Sequence, residues 1–316
     1  MLRVALPNKG SLSEIAAEML SEAGYSGRRD SRKLVHRDVP NDVEFFYLRP
    51  RDIATYVGSG ALHVGITGRD LLLDSGAEAR EIAQLDFGDS TFRFASPKDS
   101  EITELADLEG KRVATSYPTL VDDFLRSHGV AATTVKLDGA VESAVQLGVA
   151  DAVADVVSTG ATLASAGLEI FGPVILESTA VLIGGEHTHD AAGRLLQRLR
   201  GVLVARKYVV MDYVLEESKL EQATVIAGGM ESPTVSHLKE VGWVAVRVMV
   251  PAKDANTVMD RLSDLGARAI LVTAIHAARL REEPTDDCCR SCDSMSRRCA
   301  WPRGQGRELF EFEGCR

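Results

Sequence analysis

Short apolar runs alternate with helical patterns from the first residue to about residue 202, and this alternation limits the chain to few folds. Predicted strands lie at residues 2–6, 43–48, 62–67, 112–115, 133–137 and 152–157. Predicted helices lie at residues 12–23, from 69 onward and at 120–128. Strands that alternate with helices are typical of parallel α/β layers. The sequence therefore predicts an α/β fold for this part of the chain.

The pattern changes after residue 202. Residues 202–213 and 243–250 are predicted to be long strands. Asp254 is predicted to cap a helix that Gly266 ends, and a last strand follows at 269–273. This order of elements favours a separate α+β unit of the ferredoxin-like type. Residues 281–316 sustain no period, so no element is predicted there.

The charge balance narrows the range of partners. The chain has 46 acidic and 36 basic residues and a net charge of -10, so it has no general attraction for nucleic acids or anionic membranes. No apolar run approaches the ~18–20 residues of a membrane span, and residues 1–4 carry no targeting signal. All five cysteines lie between residues 288 and 315, not through the core as in a disulfide-stapled secreted protein. We expect a cytoplasmic protein that binds phosphates only at local sites.

The first candidate anion site is the turn after the first predicted strand. Lys9, Gly10 and Ser11 lead into a helix, whose free N–H groups and partial positive charge attract anions, and Lys9 adds a full charge. Ser11 and Glu14 are also predicted to form a capping box. An ordinary turn with a solvated lysine explains the same residues equally simply.

The second candidate combines the ends of two further strands. Arg49 closes one strand, and Gly68, Arg69 and Asp70 follow another at the start of a helix. Open α/β sheets bind ligands at the carboxyl ends of their strands. The alternative is structural: Asp70 caps the helix and pairs with Arg69.

The loop after the predicted strand 152–157 is the most informative candidate. Its hydroxyls, backbone N–H groups and glycine suit a phosphate, and it consists of Ser158, Thr159, Gly160, Ala161 and Thr162. Asp155 lies inside the apolar strand and needs polar partners, which sugar hydroxyls or a metal-bound water would supply. A buried aspartate that caps the next turn is the alternative. The pattern favours a phosphate joined to a hydroxylated sugar.

The cysteines and histidines define no catalytic triad. Cys289 and Cys292 have a Cys-x-x-Cys spacing, and Cys299 follows, but no second ligand pair lies at zinc-finger distance. A metal-binding module and an unstructured or artefactual extension both remain open for this tail.

Taken in order, these segments resemble the ATP phosphoribosyltransferase family, in its long, histidine-regulated form and most closely its actinobacterial members. The family signature is matched from Glu142 to Leu163, over Gly148, Ala150, Val153, Asp155, Thr159-Gly160 and Thr162-Leu163. Further matching segments are Pro7-Asn8-Lys9-Gly10, Phe45-Phe46-Tyr47-Leu48-Arg49-Pro50, Gly65-Ile66-Thr67-Gly68-Arg69-Asp70 and Leu137-Asp138-Gly139-Ala140-Val141-Glu142. The resemblance covers about residues 1–280.

The resemblance implies a two-lobed α/β catalytic half, like a type II periplasmic binding protein, and a C-terminal ferredoxin-like α+β regulatory domain. Residues 1–90 with 180–202 would form catalytic domain I, and residues 91–179 catalytic domain II, with the active site between them. Residues 203–280 would form the histidine-binding domain. Residues 281–316 have no counterpart in the family and are expected to be a disordered tail.

The implied enzyme is a glycosyltransferase of the first step of L-histidine biosynthesis. It joins N1 of the adenine of ATP to C1 of 5-phosphoribosyl 1-pyrophosphate (PRPP) and releases pyrophosphate. Charge develops on the leaving pyrophosphate and on the ribose carbon, so positioning and electrostatic stabilisation dominate. Mg²⁺ would arrive on the pyrophosphate, and no protein metal ligands are assigned. The implied small-molecule ligands are ATP, PRPP, L-histidine and AMP, and the implied assembly is a homo-oligomer, dimer to hexamer.

The resemblance also assigns residues. Its catalytic positions are Lys9, Arg49, Glu142 and Asp155, with the role of Glu142 left open. Lys9, Arg49 and Arg69 would contact the pyrophosphate or the ATP phosphates, residues 158–162 the 5′-phosphate, and Asp155 the ribose hydroxyls. The remaining substrate-binding positions are Gly10, Ser11, Gly68, Asp70 and Asp138.

For the effector, the family contacts or encloses histidine at positions that correspond to Asp212, Met230, Ser232, Thr234 and Ala269. Asp212 would accept the ammonium group, and Ser232 and Thr234 would hydrogen-bond polar atoms. A strand end at Asp212 and an ordinary turn at 232–234 are the structural alternative. Val214 stands where some relatives have a polar residue, which implies weaker binding.

Two non-enzymatic functions compete with this interpretation. A solute- or amino-acid-binding protein would share the two-lobed fold, although it would normally carry a secretion signal. A stand-alone amino-acid sensor would need the C-terminal unit but no phosphate loop after residue 157. Pyrophosphate release from ATP and PRPP separates both from the enzyme.

Overall fold

Three β-sheets organise the chain. The computed structural model describes residues 1–27, 33–157, 160–186, 190–230 and 232–279. The strands of these residues are β1 (Leu2–Pro7), β2 (Val35–Asp38), β3 (Val43–Leu48), β4 (Val64–Gly68), β5 (Arg80–Gln84), β6 (Ser90–Pro97), β7 (Arg112–Thr115), β8 (Thr133–Lys136), β9 (Ala152–Val157), β10 (Leu168–Ser178), β11 (Ala180–Gly184), β12 (Tyr208–Glu216), β13 (Thr234–His237), β14 (Trp243–Pro251) and β15 (Arg268–Ala274). Their α-helices are α1 (Ser11–Glu22), α2 (Pro50–Gly58), α3 (Arg69–Ser75), α4 (Pro118–Ser127), α5 (Ser143–Gln146), α6 (Ala161–Ser165), α7 (Asp190–Lys207), α8 (Leu220–Ile226) and α9 (Ala255–Leu265).

The first lobe is built on a six-stranded sheet with the order β2-β3-β1-β4-β11-β5. β1 runs parallel to β3 and β4, and β11 returns antiparallel between β4 and β5. One face packs against α1 and α7, where Met19, Leu20, Leu195 and Leu199 are buried. The other face packs against α2 through Ile53 and its apolar neighbours. Helices on both faces bury the sheet, as expected for parallel layers.

The second lobe is built on a five-stranded sheet with the order β10-β6-β9-β7-β8. The chain enters this lobe between β5 and β6 and leaves it between β10 and β11, so two short crossover segments join the lobes. β7 is parallel to β8 and β9, whereas β6 is antiparallel to β9 and β10. Separate apolar cores cover the two faces of this sheet. The predicted two-lobed α/β fold is therefore present.

The third sheet has the order β13-β14-β12-β15, with every neighbouring pair antiparallel. Its chain order is β-α-β-β-α-β, and α8 and α9 cover one face, where Val258 and Leu262 are buried. Gly266 ends α9 with a φ of 100°, in the left-handed region that favours glycine. The predicted ferredoxin-like unit is confirmed.

Two local predictions are wrong. Residues 202–207 belong to helix α7 and not to a strand, because Leu195, Leu199 and Val202 continue a buried helical face in the first lobe. The capping box at Ser11 and Glu14 does not form: Gly10 is the N-cap residue, with a φ of 82°, and no side chain caps α1. Asp254 is the N-cap residue of α9 but makes no side-chain cap bond.

Among the described residues, no helix has both the length and the apolar character that a membrane span requires. The predicted tail, residues 281–316, lies outside the described residues.

Candidate active site

A cleft of about 780 Å³ lies where the two lobes meet, and it is called the main cleft below. The first lobe lines it with residues that follow three strands: Lys9, Gly10 and Ser11 after β1, Arg49 and Arg51 after β3, and Gly68 and Asp70 at the end of β4. The crossover residues Gly88, Asp89 and Ser90 and the second-lobe residues Tyr117, Asp138 and Val156 complete it. Open α/β sheets bind ligands at such carboxyl strand ends.

The charges of the main cleft are mixed. Lys9, Arg49 and Arg51 supply positive charge from the first lobe. Carboxylates face the same space from both lobes, at Asp52, Asp70, Asp89 and Asp138. Such a cleft suits a ligand that carries phosphates together with hydroxyl or amino groups. The cations can bind the phosphates, and the carboxylates can accept hydrogen bonds from the hydroxyl or amino groups. Of the predicted site residues, seven line this cleft: Lys9, Gly10, Ser11, Arg49, Gly68, Asp70 and Asp138.

Asp70 is buried in the first turn of α3. Gly68 is the N-cap residue of this helix, and the side chain of Asp70 does not cap it. Asp70 Oδ1 accepts a hydrogen bond of 2.8 Å from Ser178 Oγ, and the backbone N–H of Asp70 donates to Ser178 Oγ at 3.1 Å. Burial raises the pKa of the Tyr117 phenol, and the negative charge of Asp70 and a hydrogen bond to it add to this effect. Gly68 leaves room for the carboxylate, because a Cβ there would lie 2.3 Å from Asp70 Oδ1.

Arg69 does not pair with Asp70, which corrects the structural alternative for this motif. Its guanidinium donates to both oxygens of Glu81 at 2.8 and 2.9 Å, and to the backbone carbonyl of Glu177 at 3.2 Å. The hydrogen bonds to Glu81 raise the pKa of Arg69. It lies in an adjoining concavity of about 480 Å³, which shares Asp89, Ser90, Ser178 and Thr179 with the main cleft.

The predicted phosphate loop is described only in its second half, since Ser158 and Thr159 lie outside the described residues. Gly160 has a φ of 73° and is the N-cap residue of α6. Ala161 and Thr162 line a concavity of about 540 Å³ together with Glu142 and residues of α6. The left-handed backbone of Gly160 is the conformation for which glycine is required.

Asp155 lies near the end of β9 and is not among the residues that line the main cleft. Its Oδ1 accepts a hydrogen bond of 2.8 Å from the backbone N–H of Val156, whose side chain lines the main cleft. Burial raises the pKa of Asp155, and the charges of Glu142 and Asp70 act in the same direction against that hydrogen bond. A carboxyl group perturbed in this way beside a cleft is a functional-site candidate.

The cleft residues that sequence reasoning missed include Arg51, Tyr117 and Ser178. Arg51 follows Pro50, which occupies the first turn of α2, so a proline after a strand was the available signal. Tyr117 precedes Pro118 in the same way at the start of α4. Ser178 ends β10 and gives no local signal, because its partner Asp70 is 108 positions away.

The predicted effector residues lie on or beside the third sheet. Asp212 and Thr234 are both cross-strand neighbours of Arg247, so the three share the face opposite α8 and α9. Arg247 donates to Asp212 at 2.8 and 3.3 Å. Ala269 has a φ of 56°, where the pairing of β15 with β12 shifts register. Met230 and Ser232 are exposed in the connection from α8 to β13.

A two-lobed α/β fold with a cleft of mixed charge at its strand ends suits a ligand that carries phosphates together with polar groups. Two family models match: ATP phosphoribosyltransferase over residues 49–201, and the C-terminal domain of the same family, HisG, over residues 205–277. A protein from Arthrobacter sp. (strain FB24), "ATP phosphoribosyltransferase", is 60% identical over 287 residues, which cover 89% of this chain and 100% of that protein. The corresponding protein of Streptomyces coelicolor is 58% identical over 286 residues, with the same coverage.

Among solved structures, "ATP phosphoribosyl transferase (HisG:HisZ) complex from Thermotoga maritima" matches with a TM-score of 0.56 and 27% identity, over 64% of this chain and 98% of that one. The chain belongs to the ATP phosphoribosyltransferase family. It is thus a phosphoribosyltransferase of the glycosyltransferase class, and the family acts in the first step of L-histidine biosynthesis.

Proposed function

We propose that the main cleft and the adjoining loop at residues 158–162 bind ATP and PRPP, and that adenine N1 attacks the ribose C1 there with release of pyrophosphate. The observation that carries this proposal is the convergence of Lys9, Arg49 and Arg51 on one cleft that Val156, the neighbour of Asp155, also lines. The cations match the phosphates of both substrates, and Asp155 matches ribose hydroxyls. The loop takes the 5′-phosphate on its N–H groups and hydroxyls.

The chemistry asks for positioning more than for proton transfer. Adenine N1 carries a lone pair, so no general base is assigned. Negative charge grows on the leaving pyrophosphate, and Lys9 and Arg49 stabilise it from the strand ends of the first lobe. Glu81 holds the guanidinium of Arg69 in the adjoining concavity, just after the end of β4. From there Arg69 contacts a substrate phosphate only at the edge of the main cleft. Glu142 faces the loop beside Thr162, so we assign it to the PRPP side.

We expect the divalent metal of the reaction to be Mg²⁺ that arrives on the pyrophosphate. The described residues contain no group of three or more His, Cys, Asp or Glu side chains that could hold a metal ion. The main cleft nevertheless offers single carboxylates such as Asp89 and Asp138. One or two carboxylates together with substrate phosphates is the coordination that Mg²⁺ commonly has in enzymes.

Pyrophosphate release tests this function directly. Purified protein mixed with ATP, PRPP and Mg²⁺ should release pyrophosphate, and omission of either substrate should stop it. Lys9→Met should lower kcat/KM by about 100-fold, as expected for loss of one preorganised charge. Lys98→Met is the matched control, since Lys98 pairs with Glu169 on the surface of the second lobe. Ligand binding without turnover would instead favour the solute-binding protein.

We further propose the domain division that the resemblance implies: residues 1–90 with 180–202, residues 91–179, and residues 203–280. The three sheets support it, because each uses strands of one such segment set. Helix α7 extends to Lys207, so the last boundary falls at the end of this helix. We also propose cytoplasmic residence and a homo-oligomer, dimer to hexamer.

Finally, we propose that L-histidine inhibits through the third domain and that AMP binds in the main cleft in place of ATP. Asp212 would exchange part of its pairing with Arg247 for the histidine ammonium. Because histidine acts from a separate site, its inhibition should not be simple competition with ATP. Thr234→Phe should relieve inhibition and leave uninhibited turnover nearly intact, since Thr234 is exposed. Thr257→Phe, on an exposed position of α9, should stay sensitive. A Thr234→Phe variant as sensitive as the wild type contradicts the site.

A further inference from the structure

We propose that Asp74 is a positioning residue that ties the second lobe to the first and thereby holds the main cleft in its binding arrangement. Asp74 lies in the last turn of α3, in the first lobe. Its Oδ1 accepts the backbone N–H groups of Thr119 at 3.0 Å and Leu120 at 3.3 Å, which belong to α4 of the second lobe. Its Oδ2 accepts Arg51 Nη1 at 2.9 Å.

Helix α4 depends on this carboxylate for its first turn. Pro118 at its first position has no N–H, and its N-cap residue, Tyr117, makes no side-chain cap bond. The next two N–H groups are those of Thr119 and Leu120, which have no acceptor within their own helix. A residue 45 positions earlier, on the other lobe, therefore caps α4. A cap that only stabilised the helix would ordinarily come from the residue just before it.

The Asp74 carboxylate is also deeply buried, with 7% of its side chain exposed. A buried carboxylate is tolerated when donors saturate it, and here three donors from two lobes do so. Separation of the lobes would leave Asp74 facing only Arg51 and would expose the two amides of α4. The hydrogen bonds from α4 to Asp74 thus favour the arrangement in which the two lobes lie together and both line the main cleft.

The same contact sets one wall of the main cleft. Arg51 is held between Asp74 and the ring of Tyr117, with its guanidinium carbon 4.9 Å from the ring centroid. The negative charge of Asp70 acts in turn on the phenol of Tyr117 and helps to raise its pKa, after the larger effect of burial. Arg51, Tyr117 and Asp70 all line the cleft, whereas Asp74 is not among its lining residues. Asp74 therefore acts through these residues and not on the substrates.

Removal of the contact should reduce the population of the binding arrangement, and apparent affinity falls in proportion to that population. For Asp74→Ala we expect the KM values for ATP and PRPP to rise about tenfold while kcat stays within about threefold. Hydrogen–deuterium exchange without substrates should show faster exchange in peptides that cover residues 117–125, with α9 unchanged. A merely structural role would lower the active fraction, and so kcat, at constant KM.

Asp123→Ala is the matched control, because Asp123 lies on the same helix and forms only an exposed pair with Arg126. Asp74→Asn keeps an oxygen for the two amides and loses the charge that faces Arg51, so it should restore slow exchange at 117–125 with a smaller rise in KM. Unchanged KM and exchange in folded Asp74→Ala overturn the proposal. If Asp74→Ala does not fold, the KM values and the exchange at 117–125 of Asp74→Asn test the proposal. If neither variant folds, Asp74 is required for folding and the proposal is overturned.

This inference rests on the main cleft being the active site. Wild-type pyrophosphate release tests that function by itself, and the exchange measurement needs no turnover. The two failures are therefore distinguishable.

Discussion

Replacement of Gly68 by alanine should displace the Asp70 carboxylate without straining the backbone. Gly68 has a φ of -80° and a ψ of 146°, which any residue adopts, so the added methyl acts only by its bulk. That methyl would lie 2.3 Å from Asp70 Oδ1, and a contact under 3.0 Å forces the carboxylate to move. The move breaks the bond from Ser178 Oγ, which is 2.8 Å long.

The magnitude follows from the bond that is lost. A hydrogen bond to a charged group contributes about 1.5–3 kcal/mol. Since each factor of ten in a rate or equilibrium constant corresponds to about 1.4 kcal/mol, kcat/KM for ATP should fall about 10- to 100-fold if Asp70 must be in place for binding or reaction. The free energy of unfolding should fall by no more than the same amount, because the displaced carboxylate regains some water.

Pyrophosphate release at varied ATP, together with urea unfolding, measures both effects. Gly193→Ala is the matched control, because nothing lies within 4 Å of a Cβ at this position in α7. It should keep full activity and gain about 0.5–1 kcal/mol, as alanine is the better helix former. Folded Gly68→Ala with kcat/KM within twofold of the wild type refutes the assignment of Asp70 to the working site.

Three further predictions use other parts of the structure. Asp155→Asn should abolish turnover yet raise the urea midpoint of unfolding at pH 7. Burial raises the pKa of Asp155, so the ionised carboxylate destabilises the fold, and the gain in stability of the variant should vanish below pH 4. Asp151→Asn should lower stability at pH 7, because hydrogen bonds from Arg112 lower the pKa of Asp151 to about 2, and urea midpoints of variant and wild type should converge as the pH falls from 4 towards 2. Truncation after Leu280 should preserve turnover and melting temperature; loss of bound zinc together with stability would point to a metal module in the tail.

Local pattern was enough to predict the elements that bury one clear face or end on a distinctive residue. β3, β7 and β9 have the predicted bounds, and α9 ends at Gly266 as predicted. The apolar run at 202–204 does not distinguish a strand from a buried helix, because the two have the same pattern over so few residues. β10 was missed because Gly172 and its bulge against β6 interrupt the alternation.

In the candidate site too, the residues that follow strands could be predicted from local pattern, whereas their long-range contacts could not. Lys9, Arg49 and Asp70 were predicted because they follow strands, and strand ends meet at one edge of a sheet. The contacts that orient them were not predicted, because they join distant residues: Ser178 with Asp70, and Glu81 with Arg69. Nothing in a local pattern specifies which lobe supplies the partner of a given side chain.

Helix α3 is where these long-range contacts concentrate. Asp70 and Asp74 are four residues apart, so they lie on the same face of this short helix. Each accepts hydrogen bonds from the second lobe, Asp70 from Ser178 at the end of β10 and Asp74 from the start of α4. Arg69, one position earlier, reaches the carbonyl of Glu177 on β10. Any displacement of one lobe against the other must therefore break bonds to α3 and move Asp70 relative to the cleft, so the position of the lobes and the geometry of the site change together.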